Sequence, residues 1–178
     1  MNWRDAQRLI APAVGAGGRW AELGAGEGTF TRALAELLGA GGVVLAVDRE
    51  PSAVRALTAL ARTSPAGATI EAIAADFTAP LALPPLDGVL LANALHFVPA
   101  TEQGALLARL ARMLVPGGRI VLVEYENRAP SRWVPYPVSL ARFEALADEA
   151  GLTAPREVGR RRSRYGGTMY AAWSGNGG

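Results

Sequence analysis

Glu22, Asp48, Asp76 and Asn93 each stand at or near the end of an apolar run, and Gly24, Gly26 and Gly28 alternate just after the first of these. Glycine reaches positive φ and has no Cβ, so a loop built on three of them turns sharply and lets a ligand approach its main chain. Where such a loop leaves a strand and opens a helix, unpaired N–H groups are expected to face a nucleotide-like ligand. A carboxylate at the end of the second strand, the position of Asp48, can accept from both hydroxyls of a ribose diol. Asp76 can accept from an exocyclic amine, with Phe77 beside it as an apolar wall for a purine. Both acids also have plain readings: Asp48 precedes Pro51 as a helix cap does, and Asp76 can simply end a strand. Histidine is the side chain suited to move protons near neutral pH, and His96, three residues past Asn93, is the chain's one histidine. It is a candidate general base; lining a pocket or capping a helix are its alternatives.

These residues need elements that bring them to one edge, and the hydrophobic pattern supplies them. Residues 3–14 read as a short helix and Arg19–Leu23 as the first strand. Phe30, Ala33, Leu34, Leu37 and Leu38 have the spacing of an amphipathic helix. Val43–Val47 is a β-branched run ending at Asp48, followed by a helix from Pro51 that stops at Ser64–Gly67. Ala68–Ala75 is a third strand. Phe77–Pro85, with three prolines, is too short for a crossover helix. Val89–Ala92, a helix from about Ala100, a turn at Pro116–Gly118 and a strand at Arg119–Tyr125 complete the repeat. After a Pro-rich loop at Arg128–Pro137 come a helix carrying Leu140, Phe143 and Leu146, and two strands near Arg156–Arg162 and Thr168–Trp173. The turn between those strands falls at 164–167.

Strand and helix in alternation predict an α/β fold around a mostly parallel sheet, with helices on both faces. Ligands of such sheets bind at the carboxyl ends of the strands, where the strand order reverses. That is the edge on which Glu22, Asp48, Asp76 and Asn93 fall.

Composition narrows the chemistry. Half of the 178 residues are hydrophobic and 19% are charged, a packed globule's balance, and one domain is expected over 1–178. Within it, 1–18 is an N-terminal helix, 19–125 a cofactor-binding half, 126–174 an acceptor-side half and 175–178 a tail. There is no cysteine, so thiolate nucleophiles and disulfides are excluded, and with one histidine no metal is expected. All eighteen basic residues are arginine, which excludes lysine Schiff-base and P-loop chemistry. The net charge of +2 does not point to nucleic acid, although residues 128–178 carry eight arginines against four acids. Arg160, Arg161, Arg162 and Arg164, with Tyr165, can hold an anionic substrate or RNA, or form a solvated edge hairpin. With no apolar run of membrane-spanning length, a cytoplasmic protein is expected.

The runs Glu22–Leu23–Gly24–Ala25–Gly26–Glu27–Gly28, Val47–Asp48, Ala75–Asp76–Phe77, Leu91–Ala92–Asn93–Ala94–Leu95–His96–Phe97 and Leu114–Val115–Pro116–Gly117–Gly118 occur in this order over residues 19–125. Together they resemble the motifs of class I S-adenosylmethionine-dependent methyltransferases, most closely the small-molecule enzymes of the ubiquinone/menaquinone-biosynthesis type. The resemblance implies a Rossmann-like seven-stranded sheet in the order 3-2-1-4-5-7-6, its last strand antiparallel. It implies that Gly24, Ala25 and Gly26 pass along the methionine of S-adenosylmethionine, with Glu22 at its ammonium and Gly28 also among the cofactor-binding residues. It also implies Asp48 at the ribose with Arg49 beside the adenosine, Asp76 and Phe77 at adenine, and Asn93–Ala94 near the sulfonium.

A nicotinamide-dependent dehydrogenase is the rival. Its fingerprint wants Gly or Ala where this chain has Thr29, and Glu27 disfavours a pyrophosphate. A non-catalytic S-adenosylmethionine-binding module, or a methyltransferase acting on RNA or protein, would carry the same cofactor motifs. For a small-molecule acceptor the expected walls are Trp3, Tyr125, Trp133 and Tyr136, with Glu124 and Glu126 also at the end of the fifth strand. So short a lid leaves room for a second copy of the chain to complete the site, a homodimer.

Overall fold

The computed structural model describes residues 1–63, 65–163 and 165–177. Ser64, Arg164 and Gly178, expected in a helix stop, a hairpin turn and the tail, lie outside the described residues. The strands are β1 (Arg19–Leu23), β2 (Val43–Asp48), β3 (Thr69–Ala74), β4 (Leu86–Ala92), β5 (Leu114–Tyr125), β6 (Arg156–Arg162) and β7 (Thr168–Gly175). They form one sheet in the order β3-β2-β1-β4-β5-β7-β6. The first five are parallel, and β7 runs antiparallel to both of its neighbours. The expected order and the antiparallel last strand are therefore both present.

Among the described residues five α-helices flank the sheet: α1 (Trp3–Ile10), α2 (Thr29–Leu38), α3 (Pro51–Ala61), α4 (Ala100–Ala111) and α5 (Leu140–Glu149). Alternation along each strand divides the core in two. Trp20, Val44, Leu90 and Val121 pack with Ile10, Leu34 and Leu57 of the first three helices. Ala21, Leu45, Val89 and Leu122 pack with Leu107 and Phe143 of the last two. Between β3 and β4 the chain crosses without a helix, as its prolines predict.

Two departures from the sequence reading have local causes. Helix α1 ends at Ile10 rather than at 14, because Pro12 has no N–H to give, and Ala11–Ala13 tightens into a 3-10 turn. Strand β5 begins at Leu114, inside the predicted helix, and runs through the predicted Pro-Gly turn. Leu114 pairs with Leu86, and the register then shifts before Gly88 pairs with Arg119; Gly117, at φ 78°, lies within that irregularity. Gly88 is needed for another reason. A Cβ there would lie 2.5 Å from the Trp20 ring, which fills the space over β4. No helix among the described residues is long and apolar enough to cross a membrane.

Candidate active site

Because β2 lies on one side of β1 and β4 on the other, the connections after β1 and β4 leave in opposite directions and open a cleft at their carboxyl ends. The loop after β1 is fixed by hydrogen bonds. Gly24 and Ala25 both donate to the Val47 carbonyl, Gly26 donates to Asp48 Oδ2 at 2.8 Å, and Gly28 donates to the Ala25 carbonyl. The expected free N–H cradle is thus mostly spent on the protein itself. The reason is the adjacency of β1 and β2, which brings Val47 and Asp48 under the turn. Gly24 is required because a Cβ would sit 2.9 Å from Ala94 Cβ, where the two loops touch. At Gly26 a Cβ would meet nothing within 4 Å, so this stretch of main chain borders open space.

The cleft, about 410 Å³, is lined by Gly24, Gly26, Asp48, Arg49, Asp76, Phe77, Asn93 and Ala94, together with Phe97 and Val98. These residues lie at or follow the carboxyl ends of four adjacent strands, β3, β2, β1 and β4. Asp48 is buried, and its second oxygen, Oδ1, accepts the Glu50 N–H at 2.9 Å. Each carboxylate oxygen keeps a further acceptor site. Asp76 accepts from the Thr78 hydroxyl and amide at 2.7 and 2.9 Å, with the Arg49 guanidinium 3.3 Å from its other oxygen. The Thr78 bonds foremost, with Arg49, hold its carboxyl below the usual range. Behind this wall Arg109 of α4 donates to the carbonyls of Phe77 and Thr78 at 2.8 and 3.0 Å. The sequence reading missed this brace; its signal is an arginine beside Leu106, Leu107 and Leu110 on a helix face that otherwise packs.

Three expected ligand residues are not brought to the cleft surface. Ala25 is buried, and Gly28 abuts Leu60 of α3 instead. Glu22 lies beneath the loop, buried, and accepts from the Thr31 hydroxyl of α2. Strand alternation sends it to the same face as Trp20, under α2. Burial pushes its carboxyl up to about 8, with the Thr31 bond opposing and the Asp48 charge adding. Folding therefore takes up a proton between the ordinary glutamate range and about pH 8. The associated stabilisation is complete at acid pH and is lost as pH rises through about 8. Glu22→Gln is expected to remove this decline, worth a few kcal/mol at most. Urea unfolding at a series of pH values checks it, and an unchanged slope in the variant would contradict the protonated state.

Two more cavities meet the cleft at Asn93, which lines all three. Asn93 is one of two non-glycine residues at positive φ among the described residues, here 55°, and its buried Oδ1 has no hydrogen-bond partner. At Asn93 a left-handed backbone and an orphaned buried acceptor thus coincide with the junction of three cavities. One cavity, about 710 Å³, opens above the start of α2 and is bounded by Glu27, Thr29, Phe30, Tyr125 and Arg161. The other, about 570 Å³, is bounded by His96, Phe97, Tyr125, Arg128, Trp133, Val134 and Tyr165.

His96 is nearly fully buried, and its ring is held from β5. Its Nδ1 lies 2.6 Å from Glu124 Oε2, and its backbone N–H donates to Glu124 Oε1 at 3.2 Å. With a carboxylate as acceptor, Nδ1 carries the hydrogen and Nε2 is the nitrogen left to present to the cavity.

Tyr125 and Trp133, two of the four expected acceptor walls, line this cavity. The other two do not. Trp3 packs its ring against the guanidinium groups of Arg4 and Arg32, centroid distances 4.8 and 4.4 Å, and Met1, Asn2 and Asp5 take the place expected for it. Tyr136 contributes its backbone, donating to the His96 carbonyl at 3.0 Å. In the arginine run, Arg160 pairs with Glu157 and Arg161 with Asp5, on the edge strand β6.

The model of the methyltransferase domain family matches residues 21–118, more than half of the chain. The chain belongs to that family. The match spans the β1 loop, the ends of β2 to β4 and His96, and it does not separate the ubiquinone/menaquinone type from other members. No curated protein sequence matches this methyltransferase domain. Several solved structures share its fold. The N-methyltransferase NodS from Bradyrhizobium japonicum, solved with S-adenosylhomocysteine, is 22% identical over 99% of this chain and 86% of its own, with a TM-score of 0.74. A 1,6-didemethyltoxoflavin-N1-methyltransferase from Burkholderia thailandensis, solved with 1,6-didemethyltoxoflavin and S-adenosylhomocysteine, is 22% identical over 97% of this chain and 76% of its own, TM-score 0.73. The mitomycin 7-O-methyltransferase MmcR is 17% identical with a TM-score of 0.70; this chain is 97% covered but spans only 53% of MmcR.

Proposed function

We propose that this protein transfers a methyl group from S-adenosylmethionine to a small-molecule acceptor, releasing S-adenosylhomocysteine. The observation that carries the reading is the junction at Asn93, where the cleft walled by Asp48 and Phe77 opens into a cavity lined by a carboxylate-held imidazole. A module that only stored the cofactor would not need that second chamber.

The residues suit the cofactor. Asp48, Asp76 and the nearby Glu27 make an anionic set that favours a sulfonium and an ammonium over a pyrophosphate. Asn93 Oδ1 is an acceptor still in need of a donor. Asp48 would take the ribose hydroxyls, Asp76 and Phe77 the adenine, and Gly24 and Gly26 the methionine chain. The cofactor supplies an activated methyl: the acceptor atom bonds to its carbon as the carbon–sulfur bond breaks, the electron pair stays on sulfur, and the acceptor's proton is left to be removed. The protein's part is mainly alignment and exclusion of water. His96 Nε2 takes the proton, and Glu124 keeps the ring in the tautomer that can do so.

Calorimetry with S-adenosylmethionine and S-adenosylhomocysteine tests the cofactor, and a turnover screen of phenolic, quinone, amine and thiol acceptors tests the reaction. Saturable binding of both cofactor forms is expected. Binding of neither would overturn the reading.

A further inference from the structure

We propose that the acceptor is a planar aromatic molecule bearing a carboxylate or similar acidic group, and that Arg128 is the residue that receives that group. This rests on the methyl-transfer reading above and extends it to the acceptor side.

The described structure leaves four large hydrophobic side chains well exposed, and three of them, Phe97 (54%), Trp133 (64%) and Tyr165 (64%), wall one cavity together with His96. Exposed apolar surface gathered at one concavity marks a ligand site. Tyr125 adds a fourth ring. Flat π faces on several sides favour a flat ring system, which stacks or meets them edge-on. About 570 Å³ accommodates a molecule of one to three fused rings.

Arg128 is the only formally charged side chain lining this cavity among the described residues, His96 aside. Its guanidinium rests on the Tyr125 ring, 4.6 Å from the centroid, and its NH1 donates to the Gly166 carbonyl at 3.2 Å. Among the described residues no carboxylate comes within ion-pair distance of it. On β6, Arg160 and Arg161 are paired with Glu157 and Asp5, and Arg132, stacked on the Trp133 ring, does not line the cavity. A guanidinium held by a ring and a carbonyl, but given no counter-charge, is preorganised for a carboxylate, whose two oxygens match its fork. The same charge disfavours cationic amines as acceptors. Because His96 lines the same chamber, the acidic group at Arg128 would orient the ring's nucleophilic atom relative to Nε2 and Asn93.

The test uses the full chain saturated with S-adenosylhomocysteine. Hydroxybenzoates, hydroxynaphthoates and hydroxyquinoline carboxylates, each beside its own primary amide, are titrated against tryptophan fluorescence, which Trp133 should report. The carboxylates are expected to bind at least tenfold more tightly than the amides. Arg128→Gln should abolish that preference, Arg128→Lys should restore part of it, and both should leave S-adenosylhomocysteine affinity unchanged by calorimetry. Equal binding of acid and amide, or binding of no member of the panel while S-adenosylhomocysteine binds normally, overturns this proposal alone. Failure of S-adenosylhomocysteine to bind overturns the methyl-transfer reading beneath it.

Discussion

Asp48→Ala is expected to weaken S-adenosylmethionine and S-adenosylhomocysteine binding about a hundredfold, roughly 2.8 kcal/mol, with thermal stability of the ligand-free protein lowered only modestly. Two effects combine. The carboxylate is the acceptor for the Gly26 and Glu50 amides, so its loss frees both N–H groups and loosens the loop over which the methionine would lie. It is also the proposed acceptor for the ribose hydroxyls, and hydrogen bonds to a charged group contribute about 1.5–3 kcal/mol. The two effects can be separated. Wild type should bind a deoxyribose analogue of S-adenosylhomocysteine much less well than the parent, whereas Asp48→Ala should bind the two alike. If wild type does not distinguish the analogue, Asp48 only buttresses the loop. If Asp48→Ala binds the parent ligand as wild type does, the cleft assignment itself is wrong.

The cleft was legible in the sequence because each of its parts is local. An acid that ends an apolar run stays at the end of its strand, and glycines between a strand and a helix must form the turn. The depth of Glu22 was legible only in part. Two-residue alternation puts it on the face of Trp20, but its partner Thr31 is fixed by how α2 lies across the sheet, a tertiary matter. The placement of Trp3 is tertiary too: the N-terminal segment reaches the cavity by Met1, Asn2 and Asp5, while the Trp3 ring lies against Arg32 of α2. The His96–Glu124 pair crosses 28 residues of chain and exists because β4 and β5 are paired with Ala92 opposite Val123. A signal for it was present. Glu124 interrupts an otherwise apolar stretch of β5, and a carboxylate buried there needs a partner.

That pair carries the second large effect. His96→Ala is expected to lower kcat by about 10²–10⁴-fold, the usual contribution of a positioned base, while cofactor affinity stays within about twofold, a margin worth only ~0.4 kcal/mol. Glu124→Gln should also lower kcat, and the reason lies in counting donors. Glu124 receives two, the His96 backbone N–H on one oxygen and the ring Nδ1–H on the other. Glutamine has one acceptor oxygen and one NH₂ group. If its oxygen faces the ring, its NH₂ opposes the backbone N–H and the turn is strained. If its NH₂ faces the ring, Nδ1 becomes the acceptor, the hydrogen moves to Nε2, and the imidazole can no longer take a proton there. Either outcome leaves the side chain's size unchanged, so a packing role alone predicts little loss. The decisive readout is the kcat of His96→Ala set beside its cofactor affinity, the first expected to fall and the second to hold. An unchanged kcat in His96→Ala would mean that alignment alone carries the reaction.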